Sequence, residues 1–162
     1  MKIERFKLFP VPKNPYYFWI NFFWTEKSML KSYIEDTQSV EETKEERLLR
    51  VDRTKPAAIT LNNDHKAISE KESDVSIILF CRKLFVPYIV AHELTHALVH
   101  SWRYFSKYSP EEIFIKDGKK YNENNCYDAE EEFATILGYC VNECLRTVNN
   151  KILKGKVKLC LN

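Results

Sequence analysis

Two histidines and a glutamate stand close together in the segment His92-Glu93-Leu94-Thr95-His96. In an α-helix, side chains four residues apart lie on the same face, so His92 and His96 could bind one metal ion through their imidazoles. Glu93 follows His92 directly, and its carboxylate would lie beside the pair, where it could take a proton from a metal-bound water. The spacing predicts one Zn²⁺ ion, with His92 and His96 as ligands and Glu93 as the base.

The surroundings of this motif strengthen the prediction, because chance alone gives such a pattern in a chain of this composition about once in a hundred times. Residues 87–104 have the apolar spacing of an amphipathic helix, and an apolar strand precedes them. Three of the four histidines, His92, His96 and His100, lie on this helix. The motif therefore has the helical context that its chemistry needs.

A catalytic zinc ion usually has three protein ligands and one water molecule, so a third ligand must come from elsewhere. His100 continues the series of four-residue steps, but a straight helix separates it from His92 by about 12 Å, too far for a shared ion. We therefore expect His100 to be a neighbour of the site. The better source is the acidic cluster of residues 130–132, which opens the last predicted helix.

Within this cluster, the sequence favours Glu131 as the third zinc ligand. The residues that follow it on its own helix face are small, namely Ala134, Thr135 and Gly138. Such a stripe would let two helix backbones approach closely enough for a carboxylate to reach the metal. Two alternatives stay open: Asp128 and Glu131 could instead form a capping box, and Glu130 lies nearest the centre of the apolar stripe, with Glu132 as a third choice.

The segment AHELTHALVH at residues 91–100, together with Glu131-Glu132-Phe133-Ala134, resembles the zincin metallopeptidases of the gluzincin group. Among compact members it is most similar to the small prokaryotic and phage peptidases of the ImmA/IrrE kind. The resemblance implies a mixed α/β zincin fold with one zinc ion and hydrolysis of a peptide bond in a cleft between two helices. The chain departs from those relatives in lacking their Glu-Ala-Asn sequence, and from thermolysin-like enzymes in having Thr135 where they have Asp.

The resemblance and the rest of the pattern together predict a compact, zincin-like α+β domain over residues 1–162, with a small mixed sheet, the HExxH helix and a C-terminal third-ligand helix. It begins with an aromatic-rich segment (1–24) and ends with a basic tail (151–162). Predicted strands cover residues 16–24, 57–61 and 74–80, and a hairpin covers 113–121. Predicted helices cover one or two segments within 25–50, then 87–104 and 129–149, with a cap near Ser39.

These elements suggest how a substrate could be held and cut. The strand at residues 75–80 is expected to form the edge of the cleft and to pair with an extended protein or peptide substrate. Tyr121, Tyr127 and Tyr139 are candidates for stabilising the oxyanion, and the sequence does not choose among them. The function predicted is that of a zinc metalloendopeptidase. The alternative is a catalytically silent zincin-fold protein that acts as a protein-interaction module.

Charge and composition limit the partners. A formal net charge of +2 does not point to a polyanion, and the aromatic run at residues 16–24 contains no Arg or Lys, so it is interpreted as core and not as a base-stacking surface. No nucleic acid or membrane partner is expected. No apolar stretch resembles a signal peptide or membrane span, and the expected location is the cytoplasm.

The five cysteines are an odd number without a CxxC pair, which predicts reduced thiols. Cys140 and Cys144 share a helix face and could in principle hold a metal ion. Their apolar neighbours favour a core position instead.

Overall fold

A computed structural model of the chain describes residues 3–35, 43–54, 56–62, 74–108 and 123–153. It contains a four-stranded sheet with the order β1-β2-β4-β3. The strands are β1 (Ile3–Leu8), β2 (Tyr17–Phe23), β3 (Ala58–Asn62) and β4 (Asp74–Cys81). β2 and β4 are parallel, whereas β1 pairs with β2, and β3 with β4, in antiparallel fashion. The expected α+β class and small mixed sheet are therefore confirmed.

β4 lies inside the sheet, because it pairs with β2 on one side and with β3 on the other. A strand paired on both sides has no free backbone groups for a substrate, so the expectation that residues 75–80 form a cleft edge is wrong. Val75, Ile78 and Phe80 are all nearly fully buried, as the near-continuous apolar sequence of an interior strand requires. Among the described strands, β3 and β1 form the two edges.

Helices cover both faces of the sheet. The alternation along β2 turns Phe18, Ile20 and Phe22 to one face, where all three are fully buried. The helices α3 (Pro87–Ser101) and α4 (Glu123–Thr147) pack on that face. On the other face, α1 (Glu26–Ile34) and α2 (Lys44–Thr54) enclose a smaller cluster around Phe23 and Leu79. The aromatic run of β2 thus serves mainly as core, as predicted.

The two short helices begin at threonine caps. The Oγ1 atom of Thr25 accepts a hydrogen bond from the amide of Ser28 at the start of α1. At α2 the Thr43 hydroxyl accepts from the amide of Glu46, whose carboxylate accepts in turn from the Thr43 amide at 2.7 Å. This reciprocal pair is a capping box. The predicted cap near Ser39 lies outside the described residues, and the region contains two helices.

α3 begins with Pro87 in its first turn, where no amide donor is needed, and ends in a 3₁₀ turn (Trp102–Tyr104). α4 begins at Glu123, before the predicted start at Ala129, and continues into a π-helical turn (Val148–Ile152). Asp128 is therefore inside the helix and not at its N-cap, so the capping-box interpretation of Asp128 and Glu131 is wrong. No helix in the described ranges is both long and apolar enough to cross a membrane.

Cys81, Cys140 and Cys144 are free and buried, which confirms the prediction of reduced thiols for these three and of a core position for Cys140 and Cys144. Cys126 and Cys160, the hairpin at residues 113–121 and most of the basic tail lie outside the part of the chain whose side chains are described.

Candidate metal centre

The sequence of α3 separates a buried face from an exposed one. Val90, Leu94, Ala97 and Leu98 are fully buried against the sheet and α4. His92 and His96 lie on the exposed side, one helical turn apart. Their Nε2 atoms are 3.3 Å apart, and their ring planes are nearly perpendicular, at 84°. The helix therefore brings the two imidazole nitrogens together, as the four-residue spacing predicted.

This separation fits one zinc ion. Zinc–imidazole bonds are about 2.0–2.1 Å long, and two nitrogens bound to one tetrahedral ion consequently lie about 3.3 Å apart. The Nε2 atoms of His92 and His96 have that distance. In the metal-free protein the same distance also allows one N–H···N hydrogen bond between the rings. The two side chains could exchange that hydrogen bond for a metal ion with little rearrangement.

Glu93 lies beside the histidine pair and is only 8% exposed. Its Oε2 atom accepts a hydrogen bond from the Thr60 hydroxyl at 2.7 Å, and the same hydroxyl oxygen is 3.2 Å from the Glu93 carbonyl oxygen. A hydroxyl has one proton, so the shorter contact with the carboxylate is the stronger one. Thr60 thus fixes the orientation of the candidate base.

The histidines and Glu93 line a cavity of about 320 Å³ between α3 and the β3 edge of the sheet. Thr60 and Ile59 of β3 form part of its wall. The other lining residues are Tyr33 of α1, Arg50 and Thr54 of α2, Pro56 in the loop before β3, Ala58 at the start of β3, and His100 of α3. Thr60, Tyr33 and Arg50 were not predicted as site residues, because they are far from the HExxH segment along the chain.

His100 lines the same cavity without completing a ligand set, in agreement with its expected role as a neighbour. Within the described ranges, no three His, Cys, Asp or Glu side chains converge closely enough to hold a metal ion. Among the described residues, His92 and His96 are therefore the two side chains placed to bind one zinc ion, and Glu93 is the candidate base beside them.

Glu131 is exposed on α4 and is not brought to His92 and His96. The face of α4 that packs inward carries Ala129, Phe133 and Ile136, all buried. The small-residue stripe of Ala134, Thr135 and Gly138 is exposed instead, and a Cβ atom built on Gly138 would meet nothing within 4 Å. The expectation that this stripe faces α3 is wrong, because burial of the larger apolar side chains determines which face of α4 turns inward.

The other two acids of the cluster are not at the histidine pair either. Glu130 is exposed. The Oε2 atom of Glu132 accepts a hydrogen bond from the Ser106 hydroxyl at 2.7 Å, in the segment that follows α3. Glu132 therefore ties α4 to the C-terminal end of α3.

The candidate tyrosines do not gather at the cavity among the described side chains. Tyr139 is 41% exposed on α4 and is not part of the cavity lining. The side chains of Tyr121 and Tyr127 lie outside the described part of the chain. Tyr33 of α1, a residue that the sequence did not single out, does line the cavity.

Comparison of the chain with protein-family models, with curated proteins and with solved structures finds no match.

Proposed function

We propose that this protein is a zinc-dependent metallopeptidase that hydrolyses peptide bonds at the His92–His96 pair. The observation that carries the proposal is the 3.3 Å separation of the two Nε2 atoms, beside a buried carboxylate and on the wall of a cavity. A structural histidine pair needs no buried carboxylate next to it, whereas hydrolysis needs a base within reach of the metal. The combination therefore favours catalysis.

Each residue has a distinct role in this proposal. A zinc ion, when bound, supplies Lewis-acid chemistry that acidifies a water molecule and polarises the scissile carbonyl. His92 and His96 hold the ion, and Glu93 accepts the proton of the attacking water and delivers it to the leaving amine. Thr60 donates to Glu93 Oε2 and keeps that carboxylate aimed at the same point through both transfers.

The β3 edge offers a means of holding a substrate. β3 pairs only with β4 among the described strands, and Thr60 on this strand contacts Glu93. An extended peptide could add to a free strand edge by backbone hydrogen bonds. Such pairing would place a peptide bond near the cavity without requiring a particular side chain. The proposed substrate class is therefore an extended segment of a protein or peptide.

One observation favours a second candidate, a zincin-fold protein that binds partners without cutting them. The described residues provide two zinc ligands, while catalytic zinc sites usually have three from the protein. The buried Glu93 and its hydrogen bond with Thr60 favour hydrolysis, since an interaction module has no use for an oriented base. Hydrolysis remains our proposal.

The test replaces the base and leaves the histidines in place. We expect Glu93→Gln to bind as much zinc as the wild type and to lose about 10²- to 10⁴-fold in kcat on a library of internally quenched peptides. His92→Ala should lose both zinc and activity. Glu35→Gln, which removes an exposed carboxylate that does not line the cavity, is the matched control and should behave like the wild type.

Two results would contradict the proposal. One is a Glu93→Gln protein that cleaves the library as fast as the wild type. The other is a zinc-loaded wild type that cleaves no peptide in the library, which would favour the interaction module.

A further inference from the structure

A cluster of aromatic and basic side chains occupies the sheet face opposite α3, at the β1 end. We call it the aromatic–basic platform and define it as Arg5, Lys7, Phe9, Tyr17 and Trp19. The register pairs Lys7 with Trp19 and Arg5 with Asn21, so these β1 and β2 side chains emerge on the same face. The opposite face of β2 is the one that packs under α3 and α4.

Cations and rings alternate across this platform. The Arg5 guanidinium lies 3.8 Å from the centroid of the Trp19 ring, and the Lys7 ammonium lies 4.1 Å from that of Tyr17. Tyr17 in turn packs against Trp19 and Phe9, with ring centroids 5.4 and 5.5 Å away. The aromatic run contains no Arg or Lys of its own, and the neighbouring strand supplies them. The absence of Arg and Lys from residues 16–24 argued against base stacking. That absence is a property of the linear sequence and does not hold for the folded surface.

The platform is open to solvent. Arg5, Lys7 and Phe9 are exposed, Phe9 by 40%, and Tyr17 and Trp19 are half-buried. The two helices on this face, α1 and α2, pack over the other end of the sheet, around Phe23, Leu79 and Cys81. Burial in the core consequently does not account for the rings of the platform.

We propose that the aromatic–basic platform binds single-stranded nucleic acid. Aromatic side chains on a sheet stack on bases of any sequence, and Arg and Lys beside them neutralise phosphates. A guanidinium held over an indole also presents its own flat face to the next planar group. The platform residues carry two positive charges and no negative one, although Asp74 stands opposite Tyr17 in the register at the start of β4. Both cations belong to β1, and the acid of that strand, Glu4, pairs with Phe22 in the register and so lies on the opposite face.

Single strands fit this surface better than a membrane does. The Tyr17 and Trp19 rings are half-buried and each has a cation over it, so they do not project as apolar anchors. The exposed Arg5 guanidinium, held over Trp19, is the flat group available to a base. The platform also lies on β1 and β2, whereas the histidine cavity is at the β3 edge. Binding of nucleic acid is thus a separate activity, and it does not depend on the proposed hydrolysis.

The test uses the full chain and a fluorescein-labelled oligothymidylate of about 12 nucleotides, a length within the range that single-strand binding surfaces cover. We expect the fluorescence anisotropy to rise on titration. The logarithm of the association constant should fall with the logarithm of salt concentration with a slope of about −1.4, because two cations each contribute about −0.7 on a single strand. A duplex of the same length should bind more weakly, since its bases are not free to stack.

Matched variants separate stacking from general charge attraction. Trp19→Leu should weaken binding by about 5- to 150-fold, the range expected for loss of one stacked base. Arg5→Gln with Lys7→Gln should remove most of the salt dependence. The controls are Tyr139→Leu, which removes an exposed ring on α4, and Lys27→Gln with Arg53→Gln, which removes two exposed cations on α1 and α2. Both controls should bind as the wild type does, and circular dichroism verifies that every variant is folded.

Three outcomes would overturn the proposal. The first is no binding of oligothymidylate at low salt. The second is binding that the folded Trp19→Leu variant keeps in full, which would mean charge attraction alone. The third is binding to vesicles containing anionic lipid but not to the oligonucleotide, which would make the platform a membrane surface.

Discussion

At the scale of single residues, the candidate site depends on one long-range hydrogen bond. Glu93 is adjacent to His92 in sequence, but the direction of its carboxylate is set by Thr60, which lies 33 positions earlier in the chain and on another element. A buried carboxylate without a donor would cost stability and would adopt several orientations. The Thr60 hydroxyl thus links the β3 edge to the chemistry proposed for α3.

Removal of that hydroxyl should slow the reaction without loss of the metal. We expect Thr60→Val, which keeps the shape of the side chain, to reduce kcat by about tenfold, because it leaves Glu93 Oε2 without its donor, a change of roughly 1.4 kcal/mol. Zinc content should be unchanged, since neither histidine is altered. Measurement of kcat and of bound zinc in the same preparation separates the two effects.

The conservative variant Thr60→Ser provides the control, because it restores the hydroxyl and should recover most of the activity. Equal activity in Thr60→Val and the wild type would show that Thr60 serves only to pack β3 against α3.

The contrast between Glu93 and Thr60 shows which parts of a site can be predicted from sequence. The positions of His92, His96 and Glu93 follow from helical geometry over five residues, so the sequence alone predicted that the imidazoles meet. Thr60 belongs to a strand with no local pattern that identifies it as a partner of Glu93. Its role depends on how β3 packs beside α3, a tertiary property that residue spacing does not contain.

At the scale of elements, packing determines which faces of the helices meet. The sequence correctly predicted a long final helix, but the choice of Glu131 assumed that small residues would face α3. A helix turns its larger apolar side chains inward because their burial contributes the most free energy, and on α4 these are Phe133 and Ile136. Helix propensity determines that residues form a helix, whereas the burial of apolar side chains determines which face of that helix turns inward.

This orientation predicts the outcome of replacing the acids of α4. We expect Glu131→Ala and Glu130→Ala to retain the zinc content of the wild type, because both side chains are exposed and neither is brought to His92 and His96. Glu132→Ala should also keep its zinc but should lose about 1 kcal/mol of stability with the Ser106 hydrogen bond. The measurements are metal analysis of each purified variant and urea unfolding.

His96→Ala is the positive control for metal loss in this series. A folded Glu131→Ala protein that lost its zinc would contradict the orientation of α4 described above and would restore Glu131 as the third ligand.

The position of β4 in the sheet, like the orientation of α4, was not predictable from local sequence. Its apolar composition allowed prediction of a strand, and the strand is present, but composition does not give the order of strands in a sheet. That order depends on pairing between strands that are far apart in the sequence. The consequence is functional, because the free edge beside the histidines belongs to β3 and not to β4.

At the scale of the whole molecule, the sheet separates two surfaces with different chemistry. The histidine cavity is at the β3 edge, beside α3. The aromatic–basic platform is on β1 and β2, on the face away from α3. The N-terminal aromatic segment contributes to both the core and this surface, because alternate residues of a strand point to opposite faces. The interpretation of the run as core holds for Phe18, Ile20, Phe22 and Phe23, which are fully buried, but not for Tyr17 and Trp19.

The stability of the whole domain should fall at high pH through two thiols of α4. Burial raises the pKa of Cys140 to about 12 from its ordinary value of 9.0. It also raises the pKa of Cys144, with smaller effects from Cys140 and Glu143. Both thiols must stay protonated in the folded core, while in the unfolded chain they lose their protons near pH 9. Their contribution is fully present below pH 9 and is lost as pH rises from there toward 12.

The size of this loss can be measured by urea unfolding at about pH 7.5 and about pH 10. One pH unit above the unfolded pKa, each buried thiol should lower the free energy of unfolding by about 1.4 kcal/mol. Between these two pH values, the free energy of unfolding of the double variant Cys140→Ala with Cys144→Ala should therefore fall by about 3 kcal/mol less than that of the wild type. Ile136→Ala, on the same buried stripe but without a proton to lose, should show the full wild-type pH dependence at a lower overall stability. If the double cysteine variant lost as much stability as the wild type, other groups would have to cause the alkaline unfolding, and the thiols of α4 would not be held in their protonated form by the core.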